Sequence, residues 1–90
     1  MNNIFGKQID EIRDSVFKYE IREAVDNTIK LLEKIESIST QFSDEYKIKY
    51  SEIIKYIFAS IENKDYLALS DILKFELEPL LVNGRIEYTL

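Results

Sequence analysis

The 90-residue chain contains no cysteine and no histidine. Without cysteine, no disulfide can stabilise the fold, and the redox environment of the protein is left open. Without histidine, the chain lacks the usual acid/base group at neutral pH and the commonest metal ligand. Zinc sites and the Glu-x-x-His di-iron sites of helical bundles are therefore excluded.

The sequence also lacks the patterns that carry catalytic chemistry. It has no glycine-rich phosphate loop and no pairing of a nucleophile with a base. A carboxylate site for Mg²⁺ or Ca²⁺ stays open at the densest acidic cluster, Asp10, Glu11, Asp14 and Glu20, although a solvated helix face is the commoner explanation. We therefore expect a protein that is not an enzyme and that uses no cofactor and no metal.

Positive charge and long apolar runs are scarce as well. The chain has 12 Lys and Arg against 17 Asp and Glu, a net charge of −5. Nucleic acid and anionic membranes attract the opposite sign, so neither is an expected partner. No apolar stretch approaches the ~20 residues of a membrane span, and the N-terminus reaches acidic residues before a signal peptide could form. We expect a cytoplasmic protein.

Glycine occurs twice and proline once, which leaves few residues to interrupt helices. The apolar periodicity predicts four helices, at roughly 3–18, 21–39, 44–62 and 66–82. Similar lengths and short connections favour a single domain, an all-α antiparallel bundle of four helices. The tail, 85–90, is expected to lie over the bundle through Ile86 and Tyr88.

The first junction, Lys18 to Glu20, has no glycine or proline to make a turn. Two apolar stripes meet there, each spaced alternately by four and three, and they lie about a third of a turn out of phase. We predict a turn at this junction. The alternative is three helices, with one N-terminal helix over 3–40 that would be ~55 Å long. The first stripe comprises Phe5, Ile9, Ile12, Val16 and Tyr19, and the second Phe17, Ile21, Ala24, Thr28, Leu31, Ile35, Ile38 and Phe42.

Two residues are predicted to cap the later helices. Ser43 precedes Asp44 and Glu45, which suit the positive end of a helix dipole, and Asp65 precedes the fourth helix. The apolar residues predicted for the core face of the third helix are Tyr46, Tyr50, Ile53, Ile54, Ile57, Phe58 and Ile61.

The fourth helix carries two apolar ridges, where a surface helix has one. The first comprises Tyr66, Leu69, Leu73, Leu77 and Leu80, and the second Ala68, Ile72, Phe75, Pro79 and Val82. We expect the first ridge to face the core. The second, through Ala68, Ile72, Phe75 and Val82, is the candidate interface. Pro79 cannot donate to the carbonyl of Phe75, so it ends the helix early or, as we expect, kinks its last turn.

Glu76 projects between the two ridges and is the candidate buried polar residue. A buried carboxylate needs a partner, which a tyrosine of the third helix, Arg13 or Arg22 could supply. The alternative, and the commoner situation for glutamate, is a position at the rim of the core with the carboxylate in water.

The segment from Asp65 to Leu81 also resembles part of a known group of proteins. Its pattern Asp65-Tyr66, Leu69, Asp71-Ile72-Leu73, Phe75-Glu76-Leu77 and Pro79-Leu80-Leu81 is similar to the C-terminal part of small all-helical proteins from Gram-positive bacteria, which carry no assigned activity. The resemblance implies an all-helical fold and a cytoplasmic setting. It covers at most the second half of the chain.

Together these features predict a non-catalytic bundle that binds protein. We expect a homodimer with a structural role, in which the second ridge of the fourth helix meets its copy. The alternative is an adaptor, such as a secretion or flagellar chaperone, or an antitoxin- or immunity-type protein that binds a basic partner. Small size and low pI suit both roles.

Overall fold

The computed structural model describes residues 4–84, and every regular element in that range is helical. The helices are α1 (Ile4–Phe17), α2 (Ile21–Ile38), α3 (Asp44–Glu62) and α4, which is continuous over 66–84. The prediction of an all-α bundle of four helices is confirmed. The tail 85–90, with the contacts predicted for Ile86 and Tyr88, lies outside the described residues.

The four helices form an up-and-down bundle in which α4 packs between α1 and α3. Arg13 contacts Ser70, and Asp10 contacts Lys74. Residue numbers therefore increase along α1 in the direction in which they decrease along α4, so the two helices are antiparallel. Tight connections join α1 to α2 and α3 to α4, and both pairs pack closely. In contrast, α2 and α3 pack loosely, so the bundle has one open seam.

The turn predicted at Lys18 to Glu20 is confirmed. The amide of Glu20 donates to the carbonyl of Ser15 at 2.9 Å, and the amide of Tyr19 donates to that of Val16 at 3.1 Å. These two bonds define a Schellman motif, in which the residue after the helix takes the left-handed conformation. Tyr19 does so with φ 60°. The alternative of one long N-terminal helix is therefore wrong, and the longest dimension of the fold is only 39 Å.

The same motif ends α3. The amide of Asp65 donates to Ser60 at 2.8 Å and that of Lys64 to Ile61 at 3.0 Å, with Lys64 at φ 59°. Both predicted caps are also confirmed, because the Ser43 side chain accepts from the amide of Tyr46 and the Asp65 side chain from that of Ala68.

The core is built mainly from the middle of each predicted stripe, and the prediction is wrong for Tyr19 and Phe17. Tyr19 is 88% exposed because it lies in the Schellman turn. Phe17 is 63% exposed because it is the last residue of α1 and follows the phase of that helix, not that of the second stripe. The buried hydrophobic residues are Ile9, Ile12, Val16, Ala24, Leu31, Leu32, Ile35, Phe42, Tyr50, Ile57, Leu69, Leu73, Leu77, Leu80 and Leu81.

Helix α4 passes Pro79 without ending. Its α-helical parts, Tyr66–Ile72 and Glu78–Gly84, flank a π-helical turn at Leu73–Leu77. The amide of Glu78 donates to the carbonyl of Leu73, five residues back. A wider turn immediately before the proline relieves the clash between its ring and the carbonyl of Phe75. Early termination of the helix is therefore wrong. The irregular turn lies before the proline, at Leu73–Leu77, and the kink expected in the last turn stays a prediction.

We expect Lys64→Gly to raise the free energy of unfolding by about 0.5–1 kcal/mol. A side chain in the left-handed region costs ~1–2 kcal/mol, and the extra freedom of glycine in the unfolded chain offsets part of that gain. Urea denaturation measures the change. The matched control is Lys55→Gly inside α3, which should lower stability by about 1 kcal/mol. A Lys64→Gly variant no more stable than wild type would contradict the strain.

Candidate interaction surfaces

Several large hydrophobic side chains remain exposed within the described chain. Apart from Phe17 and Tyr19 at the first turn, they are Ile29, Ile48, Tyr56, Phe58, Leu67, Phe75 and Val82. They do not scatter evenly. Three lie on the outer side of α4, and two border the open seam between α2 and α3. Clustered apolar side chains of this kind are a common mark of interaction surfaces.

The α4 patch comprises Leu67, Ala68, Ile72, Phe75 and Val82. Phe75 is 64% exposed, Leu67 63% and Val82 39%. Ala68 and Ile72 are half-buried, and Ile72 packs against the core. The predicted second ridge is therefore covered at its N-terminal part and open at Phe75 and Val82. The structure adds Leu67, which the two-ridge pattern missed.

Arg13 supports the α4 patch from α1. Its Nε donates to the Ser70 hydroxyl at 2.9 Å, and its guanidinium carbon lies 5.7 Å from the centre of the Phe75 ring. Ser70 is buried, so this bond satisfies a polar group inside the α1–α4 contact. The guanidinium thereby holds one side of the Phe75 ring by a cation–π contact.

Glu76 is exposed, which corrects its assignment as a buried polar residue. The π turn shifts the helical phase around Glu76, and the carboxylate points toward the outer groove between α3 and α4, beside Tyr56 and Pro79. Arg13, one of its predicted partners, contacts Ser70 and Phe75 instead. The rim position, the second of the two alternatives, is the one observed.

The α2–α3 groove follows the open seam of the bundle. Its lining comprises Ile29, Leu32, Glu33, Glu36, Tyr50, Ile54 and Phe58. Ile29 is 41% exposed and Phe58 49%, so both present apolar surface to solvent at the groove's edges. The cavity holds about 250 Å³, below the ~300–1,000 Å³ of sites that enclose small molecules. Its size fits the side chains of a second polypeptide better than a metabolite.

Tyr50 lines this groove. It is only 7% exposed, its ring packs edge-on against Phe42 at 6.1 Å, and its buried hydroxyl has no hydrogen-bond partner. Burial, and secondarily the Glu36 carboxylate, raise the pKa of Tyr50 to about 12. The hydroxyl therefore keeps its proton at all physiological pH values and is available as a donor.

Two members of the acidic cluster, Asp10 and Asp14, form ion pairs. Asp14 pairs with Lys18 at 2.9 Å, and Asp10 pairs with Lys74 at 3.2 Å. Lys74 also pairs with Glu78 at 3.1 Å, and the hydrogen bonds that Lys74 donates to these carboxylates, first to Glu78 and then to Asp10, raise the pKa of Lys74. Within residues 4–84 no group of acidic side chains is arranged to hold a metal ion.

Sequence reasoning placed Tyr50, Ile54 and Phe58 in the core and missed the α2–α3 groove. A signal for it was present, because Val25 and Ile29 widen the apolar stripe of α2 toward α3. Stripe width alone, however, does not say whether the neighbouring helix closes over it.

Comparison with protein-family models, curated proteins and solved structures gives no match to this chain. The resemblance of Asp65 to Leu81 to small helical proteins of Gram-positive bacteria consequently stays a prediction. In the part of the chain that the structure covers, none of the helices has the length and apolar character needed to cross a membrane.

We expect Glu76→Ala to change the free energy of unfolding by no more than about 0.5 kcal/mol, as is typical of exposed positions. Chemical denaturation of the purified variant measures this. A midpoint shifted well beyond that range would show that the Glu76 carboxylate has a stabilising partner.

We expect Tyr50→Phe to be at least as stable as wild type at neutral pH, because it removes a buried hydroxyl without a partner. The free energy of unfolding of the variant should also fall less than that of wild type at alkaline pH. Unfolded tyrosine loses its proton near its ordinary pKa of 10.0, whereas folded Tyr50 keeps it to about 12. Wild-type stability therefore falls as pH rises between these values, by at most about 1.4 kcal/mol per pH unit. Urea denaturation at several pH values tests this, and identical pH dependence in both proteins would contradict it.

Proposed function

We propose that this protein is a non-catalytic, protein-binding helical bundle that self-associates as a homodimer through the α4 patch. The observation that carries the proposal is Phe75, a large aromatic that is 64% exposed at the centre of the patch. Exposed aromatics at the centre of an apolar surface are frequent anchors of protein interfaces. The lack of histidine and cysteine supports the non-catalytic part of the proposal.

The spacing of the α4 patch suits a copy of itself. Leu67 lies eight residues before Phe75, and Val82 lies seven after it. At ~1.5 Å per residue, both distances are about 11 Å. If two α4 helices cross antiparallel about a two-fold axis at Phe75, Leu67 of one protomer meets the partner's Val82. A symmetric interface of this type requires one self-complementary surface, which this spacing provides.

Local charge also favours a second copy at this face. The chain as a whole carries −5, so two copies repel one another unless they meet where the signs balance. Arg13 lies 5.7 Å from the centre of the Phe75 ring. Asp71 and Glu76 lie within about one turn of Phe75 on α4, so both signs are present around Phe75. A rotation about the proposed axis sets opposite charges of the two protomers on the same face.

The first test is the mass of the protein by light scattering or sedimentation. Wild type should have twice the 10.7 kDa of the chain, and Phe75→Asp should have 10.7 kDa with unchanged helical circular dichroism. An introduced aspartate leaves a charge without a partner in the apolar interface. The matched control is Ile48→Asp, which changes an equally exposed side chain on the far side of α3 and should remain dimeric.

Two results would overturn the proposal in distinguishable ways. A wild-type protein that is monomeric at the highest attainable concentration removes self-association altogether. A dimer that survives both Phe75→Asp and a second variant, Leu67→Asp, retains self-association but moves it away from the α4 patch.

A further inference from the structure

The α2–α3 groove lies on the opposite side of the bundle from the outer face of α4. Because α4 packs between α1 and α3, α2 occupies the corner diagonal to it. A dimer formed through the α4 patch thus leaves this groove open. The groove is apolar along its floor, through Leu32 and Ile54, and is bounded by two roughly antiparallel helices. A shape of this kind accepts one further helix laid along the seam.

The edges of the groove carry opposite charges. On the α2 edge, Glu33 and Glu36 line the groove itself. On the α3 edge, helical periodicity puts Lys47 on the same face as Tyr50 and Ile54. These three charged side chains are exposed, and among the described residues none of the three takes part in an ion pair. Toward the other end of the seam the signs are reversed, with Arg22 on α2 and Glu62 on α3.

Tyr50 supplies a second, independent indication of a ligand. A buried hydroxyl that lacks a hydrogen-bond partner lowers stability, so native proteins seldom retain one without a reason. This hydroxyl belongs to a residue that lines the groove, beside Glu36, although the hydroxyl itself is buried behind the groove wall. It is protonated and can donate one hydrogen bond. An acceptor on the occupant, such as a side-chain amide or carboxylate, satisfies it once the Tyr50 side chain turns the hydroxyl toward the groove.

We propose that the α2–α3 groove binds an amphipathic α-helix of another protein, one whose apolar stripe is bordered by basic residues on one edge and acidic residues on the other. The apolar stripe covers Ile29, Leu32, Ile54 and Phe58. The basic edge pairs with Glu33 and Glu36, and the acidic edge pairs with Lys47. The protein then acts as an adaptor at this face, which goes beyond the proposed self-association and does not depend on it.

The probe is a synthetic helical peptide of about five turns, with leucine at alternating spacings of three and four. Over the turns that lie against Glu33 and Glu36 it carries lysine along that edge of the leucine stripe and glutamate along the other. The two charges exchange edges over the turns that lie against Arg22 and Glu62. Binding is measured by fluorescence anisotropy of the labelled peptide against the full chain. We expect saturable binding, with amide chemical-shift changes in α2 and α3. A peptide with glutamate on both edges should bind at least tenfold more weakly, because it repels Glu33 and Glu36.

Paired variants separate the groove from general electrostatics. Glu33→Lys/Glu36→Lys should weaken binding about tenfold or more. The control Glu11→Lys/Glu23→Lys reverses two exposed carboxylates in the groove between α1 and α2. It has the same net charge as the first double variant, so it should change binding less than twofold. Phe58→Ser should likewise weaken binding about tenfold, whereas Ile48→Ser, outside the groove, should have no effect.

Tyr50→Phe provides a readout that a purely structural role would not produce. The variant should bind the peptide roughly fivefold more weakly, the loss of one hydrogen bond, although its own stability is not reduced. The proposal is overturned if the peptide shows no saturable binding, or if both charge-reversal pairs weaken binding equally. It is also overturned if Phe58→Ser lowers the mass of the wild-type assembly, since a second copy would then occupy the groove.

Discussion

The leucine stripe of α4 is the contact on which the other helices depend. Leu69, Leu73, Leu77 and Leu81 follow one another at intervals of four residues, and all four are buried. In a regular α-helix each such interval turns the stripe by ~40°, so the last leucine would face well away from the first. The π turn at Leu73–Leu77 widens the helix where the drift would accumulate and keeps the leucines directed into the bundle. Because α4 touches both α1 and α3, its phase fixes the positions of both.

The open seam follows from this arrangement. A tight turn connects α1 to α2, and another connects α3 to α4. The two pairs contact each other mainly through the packing of α4 against α1. On the other side, α2 and α3 meet through the edges of their stripes. Four-helix bundles bury most apolar surface when all neighbouring helices pack equally closely. This bundle instead leaves Ile29 and Phe58 partly in water.

The hydroxyl of Tyr50 differs from three other buried hydroxyls of the core. Thr28 and Ser60 donate to carbonyls of their own helices, and Ser70 accepts from Arg13, so these buried groups are satisfied within the chain. Tyr50 is not. The hydroxyl of Tyr50 lies at the α2–α3 seam, where the helices pack least closely. The unpaired hydroxyl and the exposed apolar side chains lower the stability of the free bundle, and the same groups are those that a ligand in the groove would contact. Such coincidence is the usual relation between stability and function at binding surfaces.

The sequence by itself determined the local structure of this protein. Helical periodicity, the caps at Ser43 and Asp65, and the phase difference across Lys18 to Glu20 located four helices and their turns, because these signals act over one or two turns of chain. The middle of each core stripe was predictable for the same reason. Only the tertiary structure decided how far the second ridge of α4 is covered, that Glu76 lies in water, and that α2 and α3 do not close. Those outcomes depend on the small rotation introduced by the π turn and on the relative packing of helices far apart in sequence, and a one-dimensional pattern carries no information about either.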